Sequence, residues 1–162
     1  MGVIKYFPEE LKIENKTIIL RLDLNVPIKD KRIQDTTRIS LVLPFLKNLI
    51  EKKSKIVIIS HLGRPNGEKN NNFSLIPIYK YLKEKINTNF YFYTGNIDNE
   101  IKNKISYLKP SDVLLLENIR FFKEEEENSD IFAKKLSELG EIFINEAFSC
   151  CHRKQASIHK IA

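Results

Sequence analysis

The chain has 162 residues, 42% hydrophobic and 30% charged, with 27 Lys and Arg against 21 Asp and Glu for a formal net charge of +6. That length and balance describe one soluble globular domain, covering residues 1–162, with enough chain to bury a core. No apolar run approaches the roughly 18 residues that a membrane-crossing helix needs. The two cysteines, Cys150 and Cys151, are neighbours; adjacent thiols neither staple a fold nor space themselves as metal ligands, so no metal site is expected.

Met1–Tyr6 shows neither the apolar core nor the cleavage site of a signal peptide, and Tyr6 stands where myristoylation wants Ser or Thr. The cytoplasm is therefore the expected compartment. The positive charge permits anionic partners, nucleic acid included. Only six of the 27 basic residues are arginine, at 21, 32, 38, 64, 120 and 153. In a chain that uses lysine freely, each planar guanidinium is a candidate grip on phosphate or carboxylate.

Thr17–Leu22 reads as a buried strand, followed by the polar Asp23-Leu24-Asn25-Val26-Pro27. Asp35 is placed to cap a helix over about Thr36–Lys52, with Ile39, Leu43, Leu46 and Ile50 near helical spacing and a kink expected at Pro44. Ile56–Ser60 is a second strand, apolar on successive residues and hence buried on both faces. It breaks into His61-Leu62-Gly63-Arg64-Pro65, a turn in which Gly63 can adopt a backbone that other residues avoid. A polar loop over 66–72, read as mobile, leads to Ser74 as the cap of a helix over Leu75–Ile86.

Phe90–Tyr93 is a short aromatic strand, and Asp98–Tyr107 a helix closed by Lys109-Pro110. Val113–Leu116 is the fourth strand, ending in Glu117-Asn118-Ile119-Arg120. The acidic run Glu124–Glu127 reads as a solvated loop or a first helical turn. Asp130–Leu139 is a helix with Gly140 at its C-cap, and Ile142–Ile144 is the fifth strand. Strands alternating with helices predict an α/β domain, a parallel sheet with helices on both faces in three Rossmann-like layers.

In a parallel sheet the carboxyl ends of the strands share one edge, where open α/β sheets bind ligands. Asp23 and Asn25, His61 and Arg64, Asn118 and Arg120, and His152 and Arg153 therefore converge, with Arg38 entering at the start of the first helix. Arg38, Arg64, Arg120 and Arg153 on one rim would repel one another unless anions join them. The expected ligand is small and bears phosphate, carboxylate or both. A site rich in cations and poor in bases suits phosphoryl transfer, which depends on positioning and charge stabilisation. His159 falls outside these clusters and is read as structural. No G-x-x-x-x-G-K-[ST] and no G-x-G-x-x-G follows a strand, so no nucleotide site is visible.

Five segments carry a resemblance. Asp23-Leu24-Asn25-Val26-Pro27, Asp35-Thr36-Thr37-Arg38-Ile39, Ser60-His61-Leu62-Gly63-Arg64-Pro65, Leu115-Leu116-Glu117-Asn118-Ile119-Arg120-Phe121 and Asn145-Glu146-Ala147-Phe148 together resemble phosphoglycerate kinase, in order and spacing. The resemblance implies the amino-terminal half of a two-domain hinge enzyme of glycolysis, which moves the acyl phosphate of 1,3-bisphosphoglycerate to ADP. It implies Asp23 and Asn25 on the glycerate hydroxyl, with Leu24, Leu62 and Gly63 lining the site. His61, Arg64, Arg120 and Arg153 would hold the phosphate, and Arg38 would act catalytically on the transferring phosphoryl.

Mg-ATP and Mg-ADP are implied too, bound by a carboxyl-terminal nucleotide domain outside this chain, which would join it in trans. On that reading a chain of this length, a monomer, binds 3-phosphoglycerate weakly and transfers nothing alone. From Glu146 onward the pattern departs: Glu146, Ser149, Cys150, Cys151 and Gln155 differ from the family's usual residues. Two other readings stand beside it: a basic nucleic-acid-binding module, motivated by the charge, and a non-catalytic remnant, motivated by those departures.

Overall fold

Thr17–Arg21 (β1) lies between two parallel neighbours in the computed structural model, which describes residues 11–147 and 155–161. Lys55–Ile59 (β4) pairs one side of β1 and Ile142–Asn145 (β7) the other. Val113–Leu116 (β6) pairs β4, and Phe90–Tyr93 (β5) closes the far edge, giving the order β5-β6-β4-β1-β7, parallel throughout. A two-stranded antiparallel ribbon, Ile28–Lys29 (β2) with Arg32–Ile33 (β3), stands apart from this sheet.

The period-two geometry of a strand sends alternate residues to opposite faces. Ile18 and Leu20, Ile56 and Ile58, and Val113 and Leu115 pack with Thr37–Glu51 (α1) and Ile76–Lys85 (α2) through Ile39, Leu46, Leu49, Ile78 and Leu82. Ile19, Val57, Ile59, Leu114 and Leu116 pack with Asn99–Ser106 (α3) and Asp130–Ser137 (α5) through Ile101, Ile105, Phe132 and Leu136. Each fully buried aliphatic side chain contributes roughly 1.5–3 kcal/mol. These two cores are why β4 from Ile56 onward and the whole of β6 are apolar on successive residues. The α/β architecture with helices on both faces is as the sequence predicts.

Local chemistry adjusts several boundaries. The ladders end at Arg21 and Ile59, one residue before the expected Leu22 and Ser60. Helix α1 begins at Thr37 and runs through Pro44, and Asp35 Oδ1 accepts both the Thr37 N–H, at 2.8 Å, and its hydroxyl. At α2 the Glu117 carboxylate does most of the capping, accepting the Leu75 N–H at 2.7 Å and the Ser74 hydroxyl at 2.6 Å, while Ser74 Oγ takes the Ile76 N–H at 3.2 Å. Helix α3 starts one residue after the expected Asp98, which instead caps it by accepting the Glu100 N–H at 2.9 Å.

Three expectations are corrected. Helix α5 ends at Ser137, and Gly140 is not in the left-handed region; a Cβ there would lie 2.9 Å from the Thr17 carbonyl, so close packing on β1 requires this glycine. The acidic run is not wholly solvated: Lys123–Glu126 forms a helical turn (α4) in which Glu125 is 0% exposed. The 66–72 loop is tied down, with the Gly67 N–H on the Arg120 carbonyl at 3.2 Å and a 3₁₀ turn over Asn71–Phe73 capped by Asn70. The β2–β3 ribbon has no counterpart in the sequence reading. Asp30 and Lys31 both take positive φ, 50° and 60°, as a two-residue hairpin turn requires. Ala156–Lys160, one turn of π-helix, is likewise new.

Candidate anion-binding site

The carboxyl ends of β1, β4 and β6, three adjacent strands, bring their polar segments together. Ser60 stitches them. Its hydroxyl donates to the Leu22 carbonyl at 2.7 Å and accepts the Leu24 N–H at 3.1 Å, while its own carbonyl accepts the Ile119 N–H at 3.1 Å. Leu22, Leu24 and Leu62 are buried in the core, so Leu24 and Leu62 offer the site backbone rather than side chain.

Gly63 sits at the centre, with φ +59° and its missing side chain occupied by the Phe73 ring; a Cβ would lie 2.4 Å from that ring. Its N–H donates to Asn25 Oδ1 at 2.9 Å, and its carbonyl accepts Arg120 Nη1 at 2.7 Å. Asn118, 0% exposed, donates its amide to the carbonyls of Leu62, at 2.7 Å, and Phe73, at 2.9 Å, and accepts the Arg120 N–H. Side chains from the segments after β1 and β6 thus grip the turn after β4.

The arginines divide into two kinds. Arg64 is exposed on the turn, and Arg38 is half-exposed in the first turn of α1, with Nη1 on Asp23 Oδ2. The other Asp23 oxygen accepts the Asn25 N–H at 3.2 Å. Arg120 is only 2% exposed, and its Nη2 donates to Gln155 Oε1 at 3.2 Å. Arg153 and His152 lie outside the described residues. Among the described arginines of the rim the expected repulsion is therefore relieved: Asp23 pairs Arg38, and Arg120 is folded inward as part of the frame.

His61 is also inside, 1% exposed, with Arg21 Nη2 at 3.0 Å from its Nδ1. Arg21 is 0% exposed, with Nη1 on the Leu22 carbonyl at 2.7 Å and Nε on Ser157 Oγ at 3.2 Å. Ser157 donates its N–H, at 2.8 Å, and its hydroxyl to the Glu125 carboxylate. Burial pushes the Glu125 carboxyl above its ordinary value, against the Ser157 hydrogen bonds and the charges of Arg21 and Arg120. Sequence reasoning missed Arg21, Glu125 and Ser157. The one available signal was Arg21 itself, a charge within an apolar strand. His159, read as structural, accepts the Asn128 amide at its Nδ1, at 3.2 Å, on the surface.

A hard divalent cation wants several carboxylate, carbonyl or water oxygens. The donors here are guanidinium, imidazole and amide, the Asp23 carboxylate already faces Arg38, and no group of three His, Cys, Asp or Glu gathers among the described residues. These residues fit an oxyanion and do not fit Mg²⁺. No described helix is long and apolar enough to cross a membrane.

A sequence profile of phosphoglycerate kinase matches residues 9–162. The chain is 43% identical over 153 residues to the phosphoglycerate kinase of Wolbachia pipientis wMel, covering 94% of this chain and 38% of that protein. It is also 43% identical over 154 residues to that of Borrelia duttonii, covering 95% and 39%. Among solved structures it superposes on the phosphoglycerate kinase of Coxiella burnetii with TM-score 0.85 and 37% identity, over 94% of this chain and 38% of that one. For the Pyrococcus horikoshii enzyme the TM-score is 0.83 and the identity 32%, over 94% and 39%. The chain thus spans under two-fifths of the length of these relatives, and the nucleic-acid reading of its charge is not favoured. With the profile matched along nearly all its length and the sheet superposing on solved members, the chain belongs to the phosphoglycerate kinase family.

Proposed function

We propose that this chain supplies the acid-substrate site of a phosphoglycerate kinase. It binds 3-phosphoglycerate and 1,3-bisphosphoglycerate during exchange of the acyl phosphate with ADP, in cytoplasmic glycolysis and as a monomer. The observation that supports this reading is the union of three strand ends at one turn. There the Arg38 guanidinium is linked to Arg64's turn through Asp23, Asn25 and Gly63.

Asp23 and Asn25 take the glycerate hydroxyl. Arg64 and Arg153 hold the phosphate, with His61 and Arg120 supporting it from the buried side. Arg38 faces the transferring phosphoryl and stabilises its charge, an effect worth about 10³–10⁵ in rate for comparable arginines. In the ATP-consuming direction the acceptor carboxylate is already ionised, so no general base is needed, and the chain's task is orientation and charge stabilisation. The nucleotide and its Mg²⁺ are assigned to a partner domain outside these residues.

The test is thermal unfolding with millimolar 3-phosphoglycerate, with inorganic phosphate as control. A rise in melting temperature that exceeds the control and shrinks in Arg38→Ala and Arg64→Ala is expected; no rise overturns the reading. ATP formation from 1,3-bisphosphoglycerate and ADP after adding a family nucleotide domain in trans tests the catalytic half.

A further inference from the structure

Behind the turn runs a polar chain that ends on His61 and whose other members the contacts proposed above do not use. Both Glu125 oxygens are taken by Ser157, Oε1 by its hydroxyl and Oε2 by its N–H at 2.8 Å. The hydroxyl, its proton given to Glu125, offers a lone pair to Arg21 Nε at 3.2 Å. Arg21 then reaches His61 Nδ1 through Nη2 at 3.0 Å. Chemistry fixes the sense of every link. A guanidinium only donates, so Ser157 Oγ and His61 Nδ1 each present a lone pair to Arg21, and the Ser157 hydroxyl proton is left to point at Glu125.

We infer that Glu125, Ser157 and Arg21 are positioning residues that hold His61 in its Nε2–H tautomer, so that the ring serves the anion site as a neutral hydrogen-bond donor. The inference rests on the proposed function for the ligand's identity, but not for the relay itself. Three observations carry it. Glu125, Ser157 and Arg21 are each 0% exposed. Apolar residues can hold such a volume at least as stably as a buried charged network, whereas only the charged network imposes direction on an imidazole. Ser157 lies in the π-helical turn Ala156–Lys160, a geometry frequent at functional sites. A second cation, Arg120, also acts on Glu125, and it joins the same segment through Gln155. The seating of residues 155–161 is thereby coupled to His61.

The experiment is ring-nitrogen NMR of the ¹⁵N-histidine-labelled chain at pH 7, with His61 assigned by comparison with His152→Gln and His159→Gln. The wild type should show Nδ1 unprotonated and Nε2 protonated. Ser157→Ala should convert His61 to a tautomer mixture and raise the dissociation constant for 3-phosphoglycerate about threefold to tenfold, and Ser157→Thr should restore both. A protonated Nδ1 in the wild type overturns the inference, as does an unchanged signature in folded Ser157→Ala. Should Ser157→Ala not fold, Arg21→Lys carries the test, because one ammonium cannot reproduce the three-way fork; an unchanged signature there also overturns it. If the signatures behave as stated while 3-phosphoglycerate fails to bind the wild type, the relay stands and the proposed substrate falls.

Discussion

Asn25 Oδ1 accepts the Gly63 N–H at 2.9 Å, joining the loop after one strand to the turn after its neighbour. Because Gly63 is held from its other side by Arg120, the turn that presents Arg64 is a built element with little freedom to relax. Its rigidity orients the site before any ligand arrives, which reduces the ordering cost of binding.

Gly63→Ala tests that rigidity. The φ of +59° penalises any L side chain, and the added methyl would lie 2.4 Å from the Phe73 ring. We expect a loss of about 2–4 kcal/mol from backbone strain and overpacking together. Urea unfolding followed by circular dichroism measures it, and a loss under about 0.5 kcal/mol, the scale of an ordinary surface change, would show the turn to be soft.

Asn118→Ala removes two donors from the Leu62 and Phe73 carbonyls and one acceptor from the Arg120 N–H, all at a residue that is 0% exposed. Stranding buried polar groups costs about 1–3 kcal/mol each where water cannot enter. A loss of roughly 2–3 kcal/mol in chemical unfolding is expected, with weaker 3-phosphoglycerate binding as Leu62 and Gly63 shift.

Arg64→Ala separates binding from folding. The side chain is exposed, so ligand-free stability should change by less than about 0.5 kcal/mol. Loss of a charge-assisted contact should weaken 3-phosphoglycerate about tenfold or more. Isothermal titration and melting of the same sample read both quantities.

Two glutamates should respond to pH with opposite sign. Burial raises the Glu125 carboxyl above its ordinary 4.5, so its contribution to stability is fully present below that value and is lost as pH rises through the folded-state pKa. The stability advantage of the wild type over Glu125→Gln should therefore shrink from acid toward neutral pH. Glu141 is lowered from 4.5 by the hydrogen bond from Lys16 and then by that from the Thr17 N–H, so its contribution is present above 4.5 and is lost as pH falls through the folded-state value. The pair is half-exposed, so this second effect is small and weakened by salt. Unfolding midpoints between acid and neutral pH for Glu125→Gln and Glu141→Gln check both directions.

By itself the sequence determined the layered α/β fold, because alternation of strand and helix periodicity is local and survives without any tertiary information. It also determined the rim, because parallel strands must end on one edge and the polar segments after Leu22, Ser60 and Leu116 are contiguous in the chain. Only the tertiary structure decided which arginines face solvent. Arg64 and Arg120 both follow strand ends, yet one is exposed and the other folds inward onto Gly63 and Gln155, residues 57 and 35 positions away. The relay from Glu125 to His61 was equally hidden, since its Ser157–Arg21 link spans 136 positions. Burial and hydrogen-bond direction depend on partners that packing brings together, and no local pattern in the chain encodes them.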